Sequence, residues 1–356
     1  MKVLLLSRYT EVGASSRHRS YQYLPFLRER GYEITVLPLL SDMYLKRLYS
    51  HQPLSLLDLV RSYIRRVIHL LRLTRYDLIW LEYEAFPWIP YLFESIFLNT
   101  RTPYIVDYDD AVFHRYDQHS SGIVNQLLGT KIDRVMRGAA LVIVGNEYIA
   151  SRASDAGAIN IKLLPTTINL DKYRLQPPPQ NQSFTIGWVG SPITSRYLKI
   201  VEEALITIQQ KSSMRLIVIG ATNIRMSGIA YEPRPWSETT EIDEIANFDV
   251  GIMPLPDLPW ERGKCGLKLI QYMACSRPVV ASPVGVNRKI VEHNVNGFLA
   301  SSTQDWISSL ATLRDNPHLR EKLGKTGREK IEKQYCTRVT APLLASFLDE
   351  AAGRFF

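Results

Sequence analysis

The chain has 356 residues with 46% hydrophobic and 22% charged side chains, values of an ordinary globular protein that exclude a disordered chain and suit two domains of about 150 to 200 residues each. Its formal charge of +8 and pI near 9.3 favour an anionic partner: a nucleotide, a membrane surface or, ranked last because no basic motif interleaved with aromatics is present, nucleic acid. Three cysteines, Cys265, Cys275 and Cys336, lack metal-ligand spacing and argue for a reducing compartment, while the opening MKVLLLSRY is too short an apolar run for a signal-peptide core. The expectation is a cytoplasmic protein.

In chain order, Lys2 to Ser7 reads as a buried strand, followed by a loop, a helix over Tyr21 to Arg30, the turn residue Gly31 and a second strand over Tyr32 to Leu37. The loop from Gly13 and Ala14 to Arg19 is small and basic. Its backbone can approach a ligand while Arg17 and Arg19 supply charge, but it is no G-x-G-x-x-G fingerprint, which disfavours a nicotinamide dehydrogenase. Between Tyr44 and Arg75, seven Lys and Arg residues face the single acid Asp58 and interleave with leucine, isoleucine and valine. That is a basic amphipathic helix, readable either as a foot on an anionic bilayer through residues 55–75 or as a core helix with a solvated basic face.

Strands are predicted at Asp77 to Leu81, running into Glu82, Tyr83 and Glu84; at Pro103 to Val106, running into Asp107, Asp109, Asp110 and then His114; at Leu141 to Val144; and at Lys162 to Pro165. Aromatics near carboxylates suit sugar binding and suit a packed helix equally. Three clustered acids need a cation, a polyol or a nearby arginine, and salt-bridged loop acids are favoured over a D-x-D metal site.

DKYRLQPPPQNQS, with three successive prolines, reads as a stiff linker, after which Phe184 to Val189 restarts the strand, glycine loop, helix, strand order through Gly190, Ser191, Thr194 and Arg196. Further strands fall at Arg215 to Ile219, Val250 to Leu255 and Pro278 to Ser282. Between the last two, Gly263, Lys264, Cys265 and Gly266 open a helix flanked by Lys264 and Lys268, where free N–H groups and the helix dipole would receive a phosphate. The fold class is therefore α/β: an N-terminal Rossmann-like domain over residues 1–172, a linker over 173–183, a second such domain over 184–340, and a closing helix over 341–356 that packs back toward the first.

The pattern GKCGLKLIQYMACSRPVVASPVGVN, the VEHNVNGFL segment after it, LVIVGNEYIA, LLPTTINLDKY and WVGSPITSRYLKI together resemble the GT-B glycosyltransferases of family 4, and the resemblance covers the whole chain. It implies two facing doubly wound domains with an interdomain cleft, a nucleotide-sugar donor on the second domain, and retaining transfer without a bound metal or other cofactor. By that resemblance Gly266 and Leu267 hold the donor diphosphate, Gly13 and Ala14 close over it, and Gly190, Ser191 and Thr194 line the site. Of the family's basic pair, one position is Ser191 here and the other is Arg196. Its two glutamates fall on Gly263 and Gln271, so Gln271 is left to bond a ribose hydroxyl and Glu261 or Asp257 to replace the missing acid.

Arg196, Lys264 and Lys268 would then stabilise the departing diphosphate, with His114 orienting a sugar. The acceptor side would comprise Arg17, Arg19, Glu82, Glu84, Asp107, Asp109 and Asp110. A glycan or lipid-linked acceptor, in cell-surface polysaccharide or glycolipid synthesis at the cytoplasmic membrane face, is the expected setting. The alternatives are a non-catalytic GT-B subunit that binds a sugar nucleotide or a partner protein and, lower, a nucleotide-sugar epimerase.

Overall fold

A computed structural model describes residues 1–50, 52–224 and 226–353; His51 of the expected basic helix and residues 354–356 of the expected closing helix lie outside them. The chain divides into two compact units. The first comprises Met1–Thr166, the short segment Arg262–Cys265 and the C-terminal helix Thr337–Ala351; the second comprises Thr167–Glu261 and Gly266–Cys336.

The first unit is built on six parallel strands, β1 (Lys2–Leu6), β2 (Glu33–Val36), β3 (Leu78–Glu82), β4 (Tyr104–Tyr108), β5 (Leu141–Val144) and β6 (Ile161–Leu163), in the order β2-β1-β3-β4-β5-β6. β1, β3, β4 and β5 are near-continuous apolar runs because helices cover both sheet faces. One face packs Leu4, Leu6, Ile79, Leu81 and Val106, and the other packs Val3, Leu5, Trp80 and Ile105 against the C-terminal helix through Leu344 and Leu348.

The second unit repeats the plan with β7 (Phe184–Val189), β8 (Met214–Ile219), β9 (Glu232–Arg234), β10 (Val250–Met253), β11 (Val279–Ala281) and β12 (Gly297–Leu299), in the order β12-β11-β10-β7-β8-β9. Strand order reverses between β1 and β3 in the first sheet and between β7 and β10 in the second. Beyond the carboxyl ends of such strand pairs lies the natural ligand position of an open α/β sheet. The two sheets match the GT-B fold class that the sequence implies.

Three readings are corrected. Residues 14–19 form a short helix, Ala14–Arg19, because its buried side is polar and gave no apolar period. The basic stretch is two helices, Asp42–Tyr49 and Leu56–Leu70, followed by a 3-10 turn at Leu73–Arg75. Within the second of them Arg66 is no part of a solvated face. It is buried, and its guanidinium donates to the carbonyls of Ser7 and Leu37 at 2.7 Å and of Ala85 at 3.3 Å. Residues 173–183 form neither strand nor helix, and Gln176 and Asn181 bond to Asp243 and Asp249 of the second unit.

Candidate active site

In the second unit the site begins with two facing glycines. Gly187 of β7 and Gly251 of β10 are register partners, and a Cβ on either would stand 2.0 Å from the Phe248 ring or 2.2 Å from the Tyr272 ring. The space left by both is filled by those rings, which meet edge-on with centroids 6.1 Å apart. Tyr272 thereby reaches the end of β7, where its hydroxyl accepts the Val189 N–H at 2.8 Å. This fixes the exit of β7 into Gly190 and Ser191.

From there the chain turns tightly. The Ser191 N–H donates to Thr194 Oγ1 at 3.1 Å, and Ser195 Oγ donates to the Pro192 carbonyl at 2.8 Å, starting the 3-10 turn Thr194–Val201. The turn presents Arg196 to solvent over the Tyr197 ring, with its guanidinium carbon 5.1 Å from the centroid. Arg196 Nη2 also lies 3.7 Å from the buried carboxylate of Glu261, to which Tyr197 donates a short hydrogen bond. Lys268 sits with its ammonium 5.6 Å above the Trp188 ring.

Beyond β10 the helix Leu267–Ala274 starts at Gly266, whose φ of 71° is left-handed and whose Cβ would strike Ile290 at 2.3 Å; both demands select glycine. A glycine N-cap brings no side chain to the first-turn N–H groups, which suits them to an anion. Inside the helix, buried Gln271 donates to Glu241 Oε2 at 3.0 Å and to the Tyr173 hydroxyl at 3.3 Å, while Trp236 Nε1 donates to Glu241 Oε1 at 2.8 Å. The second unit thus brings together Gly190, Ser191, Thr194, Arg196 and Glu261 around β7, and Gly266, Leu267, Lys268 and Gln271 beside β10.

The sequence-predicted residues of the first unit are largely engaged with one another. Glu82 at the end of β3 accepts from Ser16 Oγ at 2.7 Å and from the Arg8 N–H at 3.0 Å, and burial pushes its carboxyl up to about 7 despite those bonds. Arg19 donates to Asp107 at 2.8 Å and to the Leu164 carbonyl at 2.7 Å; burial raises Asp107 to about 6, with the Arg19 charge opposing it. Glu84 is buried against Lys131 at 2.7 Å, and the same ammonium reaches Glu94 at 3.1 Å. Asp109 accepts from the Tyr83 hydroxyl, and Asp110 lies 3.5 Å from Lys264. His114 is held between Asp117 and the Tyr148 hydroxyl, both at 2.8 Å. Arg17 donates to the carbonyls of Glu11 and Val12 at 3.4 Å. Gly13 caps the helix Ala14–Arg19, where a Cβ would meet the Tyr9 side chain at 2.5 Å.

Gly263, the position of an acid in the family pattern, is closed to any side chain. A Cβ there would stand 2.4 Å from the Ala111 Cβ and 2.8 Å from its backbone nitrogen, and Asn146 Nδ2 donates to the Gly263 carbonyl at 2.7 Å. The sequence reading did not single out Asn146, Lys131, Glu94, Tyr197, Glu241 or Trp236. Asn146 alone carried a local signal, as the N-cap of the helix Glu147–Asp155. Among the described residues no group of three or more His, Cys, Asp or Glu could hold a metal ion.

Residues 183–316 match the family model described as Glycosyl transferases group 1. The chain is 31% identical over 98 residues to a D-inositol 3-phosphate glycosyltransferase of Saccharomonospora viridis, covering 27% of this chain and 23% of that protein. It is 37% identical over 93 residues to an uncharacterized glycosyltransferase of Methanocaldococcus jannaschii, covering 26% of each. The chain thus matches about a quarter of the length of these relatives. Among solved structures, HepE of Anabaena in complex with UDP-glucose superposes with a TM-score of 0.71 at 17% identity over 98% of this chain and 100% of that one. Sucrose-phosphate synthase of Thermosynechococcus elongatus gives 0.70 at 15% identity over 100% of both.

Proposed function

We propose that this chain, a GT-B protein whose residues 183–316 form a glycosyltransferase group 1 domain, transfers a sugar from a nucleoside-diphosphate donor to a hydroxyl of a glycan or lipid-linked acceptor, with retention at the anomeric carbon. The observation that carries the reading is the pairing, at the β7–β10 reversal, of a glycine-started helix with two cations, Arg196 and Lys268, each poised over an aromatic ring. Charge develops on the leaving diphosphate as the glycosidic bond breaks. Fixed cations and backbone N–H groups meet that charge without reorganising, and no resident metal ion is called for in this reading. Glu261 stands next to Arg196 as the acid for a hydroxyl of the donor, in place of the one that Gly263 lacks. Gln271, oriented by Glu241 and Tyr173, is assigned to the ribose.

The first unit would carry the acceptor. No helix among the described residues is long and apolar enough to cross a membrane. We place the protein on the cytoplasmic side, in polysaccharide or glycolipid synthesis, with peripheral contact to an anionic membrane through residues 55–75. Because the Anabaena neighbour was solved with UDP-glucose, UDP-sugars head the donor panel.

The test is calorimetric titration of nucleotide sugars into the wild type and Lys268→Ala, followed by assay of nucleotide release with glycan and lipid-linked acceptors. A selective donor whose affinity falls ~10-fold or more in the variant, with acceptor-dependent release, is the expected result. Silence of the folded protein across the panel overturns it. Donor binding without turnover would favour the second reading, a non-catalytic subunit, for which the closed position at Gly263 is the specific observation.

A further inference from the structure

The helix Leu56–Leu70 turns one stripe inward, through Tyr63, Arg66 and Leu70, and leaves a second apolar stripe uncovered. Leu57 and Ile64 are 59% and 54% exposed, and Val60 and Ile68 stand beside them at the same helical spacing. At 100° per residue Arg61 and Arg65 fall in one strip along the edge of these apolar side chains, and Arg72 follows two residues beyond the helix end. Arg61 is 71% exposed at its side chain, and the segment has Asp58 as its one acid.

Two further helices of the first unit also carry exposed apolar side chains, and the first of them is tied to Leu56–Leu70 beneath the surface through buried Phe86. Tyr63 packs on Phe86, with ring centroids 6.1 Å apart, and donates to the Pro87 carbonyl at 2.7 Å. Phe86 in turn meets Phe93 at 5.1 Å, on the helix Tyr91–Leu98, whose Leu92 and Ile96 are 77% and 66% exposed. On the same loop Trp88 is half in solvent, held in a left-handed backbone conformation and set edge-on to His119 at 5.7 Å, just before the helix Gly122–Leu128 with exposed Ile123 and Leu127. Bulky aliphatic side chains from three first-unit helices, a half-exposed tryptophan and flanking arginines are the composition of a surface that enters the headgroup layer of an anionic bilayer.

We propose that this first-unit surface is a membrane footprint to which the helices Leu56–Leu70, Tyr91–Leu98 and Gly122–Leu128 all contribute. It extends the contact through residues 55–75 proposed above, and it stands or falls apart from the sugar-transfer reading. The arginine strip selects the partner: aliphatic side chains flanked by cations, with snorkelling side chains long enough to reach phosphates, fit anionic lipid better than the mixed charge of a protein surface.

Flotation of the full chain with phosphatidylcholine vesicles, with and without phosphatidylglycerol, tests this. The wild type floats with the anionic vesicles and not the neutral ones. Leu57→Glu/Ile64→Glu, Arg61→Glu/Arg72→Glu and, decisively because it lies outside residues 55–75, Leu92→Glu/Ile96→Glu each lower the bound fraction ~10-fold or more, whereas exposed Ile159→Glu does not. Quenching of tryptophan fluorescence by brominated lipid, lost in Trp88→Phe, gives a second readout that needs no charged substitution. The proposal is overturned if the wild type fails to float with anionic vesicles, or if Leu92→Glu/Ile96→Glu floats like the wild type. It is overturned equally if sedimentation shows a dimer that the same variants dissociate. Nucleotide-sugar binding by these variants stays at the wild-type level, so loss of flotation and loss of the donor site are separate results.

Discussion

Arg196 and Glu261 form a pair of unequal exposure: the guanidinium stands mostly in solvent, while the carboxylate 3.7 Å away is buried beneath the Tyr197 hydroxyl. An exposed partner adds little to stability, so Arg196 is free to serve a ligand. Arg196→Ala should weaken nucleotide-sugar binding ~10-fold or more by calorimetry while moving the melting temperature by no more than about 1 °C.

The acid missing from the family pattern cannot be restored by substitution. Gly263→Glu forces a Cβ into the Ala111 side chain and backbone, an overpacking cost of about 1–3 kcal/mol, and displaces the carbonyl held by Asn146. Denaturant melts should show that loss. Ala111→Gly should relieve it only in part, because the clash with the backbone nitrogen remains.

Lys131 joins two buried carboxylates, Glu84 and Glu94. Lys131→Met would take the nearest cation from both, leaving Glu84 with Arg8 at 3.7 Å and Arg115 at 4.0 Å, at a cost of roughly 3–5 kcal/mol in urea unfolding. Adding Glu84→Gln and Glu94→Gln should recover much of it, since those charges would be gone.

Glu82 provides a pH signature. Its folded-state value of about 7 lies above the ordinary glutamate value near 4.5, so between those pH values the native state holds a proton that the unfolded chain has released. Stability from this group is therefore full below pH 4.5 and is lost as pH rises through 7. Relative to the wild type, Glu82→Gln should gain stability on going from pH 5 to pH 8, on the order of 2 kcal/mol. A difference independent of pH would show that Glu82 is ionised throughout.

Donor cleavage should persist at an unchanged rate after exhaustive treatment with EDTA, because the reading assigns leaving-group charge to Arg196, Lys268 and the helix N–H groups. Loss of turnover that Mg²⁺ or Mn²⁺ restores would reassign that role to a cation.

The parts of this architecture legible in the sequence are those where one local rule dominates. β7 was read to the residue because a Val/Ile-bearing run ends at Gly190, Ser191 and Pro192. β9 and β12 escaped, since Glu232–Arg234 and Gly297–Leu299 are too short and too mixed to carry a period. The helix Ala14–Arg19 was hidden because Ser16, Arg17, His18 and Arg19 are all buried in it, the reverse of amphipathic patterning. Arg66 shows the same limit: an arginine that satisfies three carbonyls inside the first unit is indistinguishable, in sequence, from its exposed neighbour Arg61. The glycines, the lone arginine and the helix start of the second-unit site were visible. Glu261 was reached only through the family resemblance, and Glu241, which orients Gln271, depends on long-range packing that no local pattern records.

The return of the C-terminal helix Thr337–Ala351 to the first sheet bears on how this molecule can be dissected. Its Thr340 meets the Tyr23 hydroxyl at 2.9 Å, its Ala345 carbonyl accepts from Tyr32 at 3.2 Å, and Glu350 binds Lys162 at 3.1 Å. A gene fragment stopped at Thr166 would encode six strands but strip the cover from Val3, Leu5, Tyr23 and Leu27. The amino-terminal half is thus completed by a helix that is translated only after the whole second unit, and until then it must wait unfinished or be shielded.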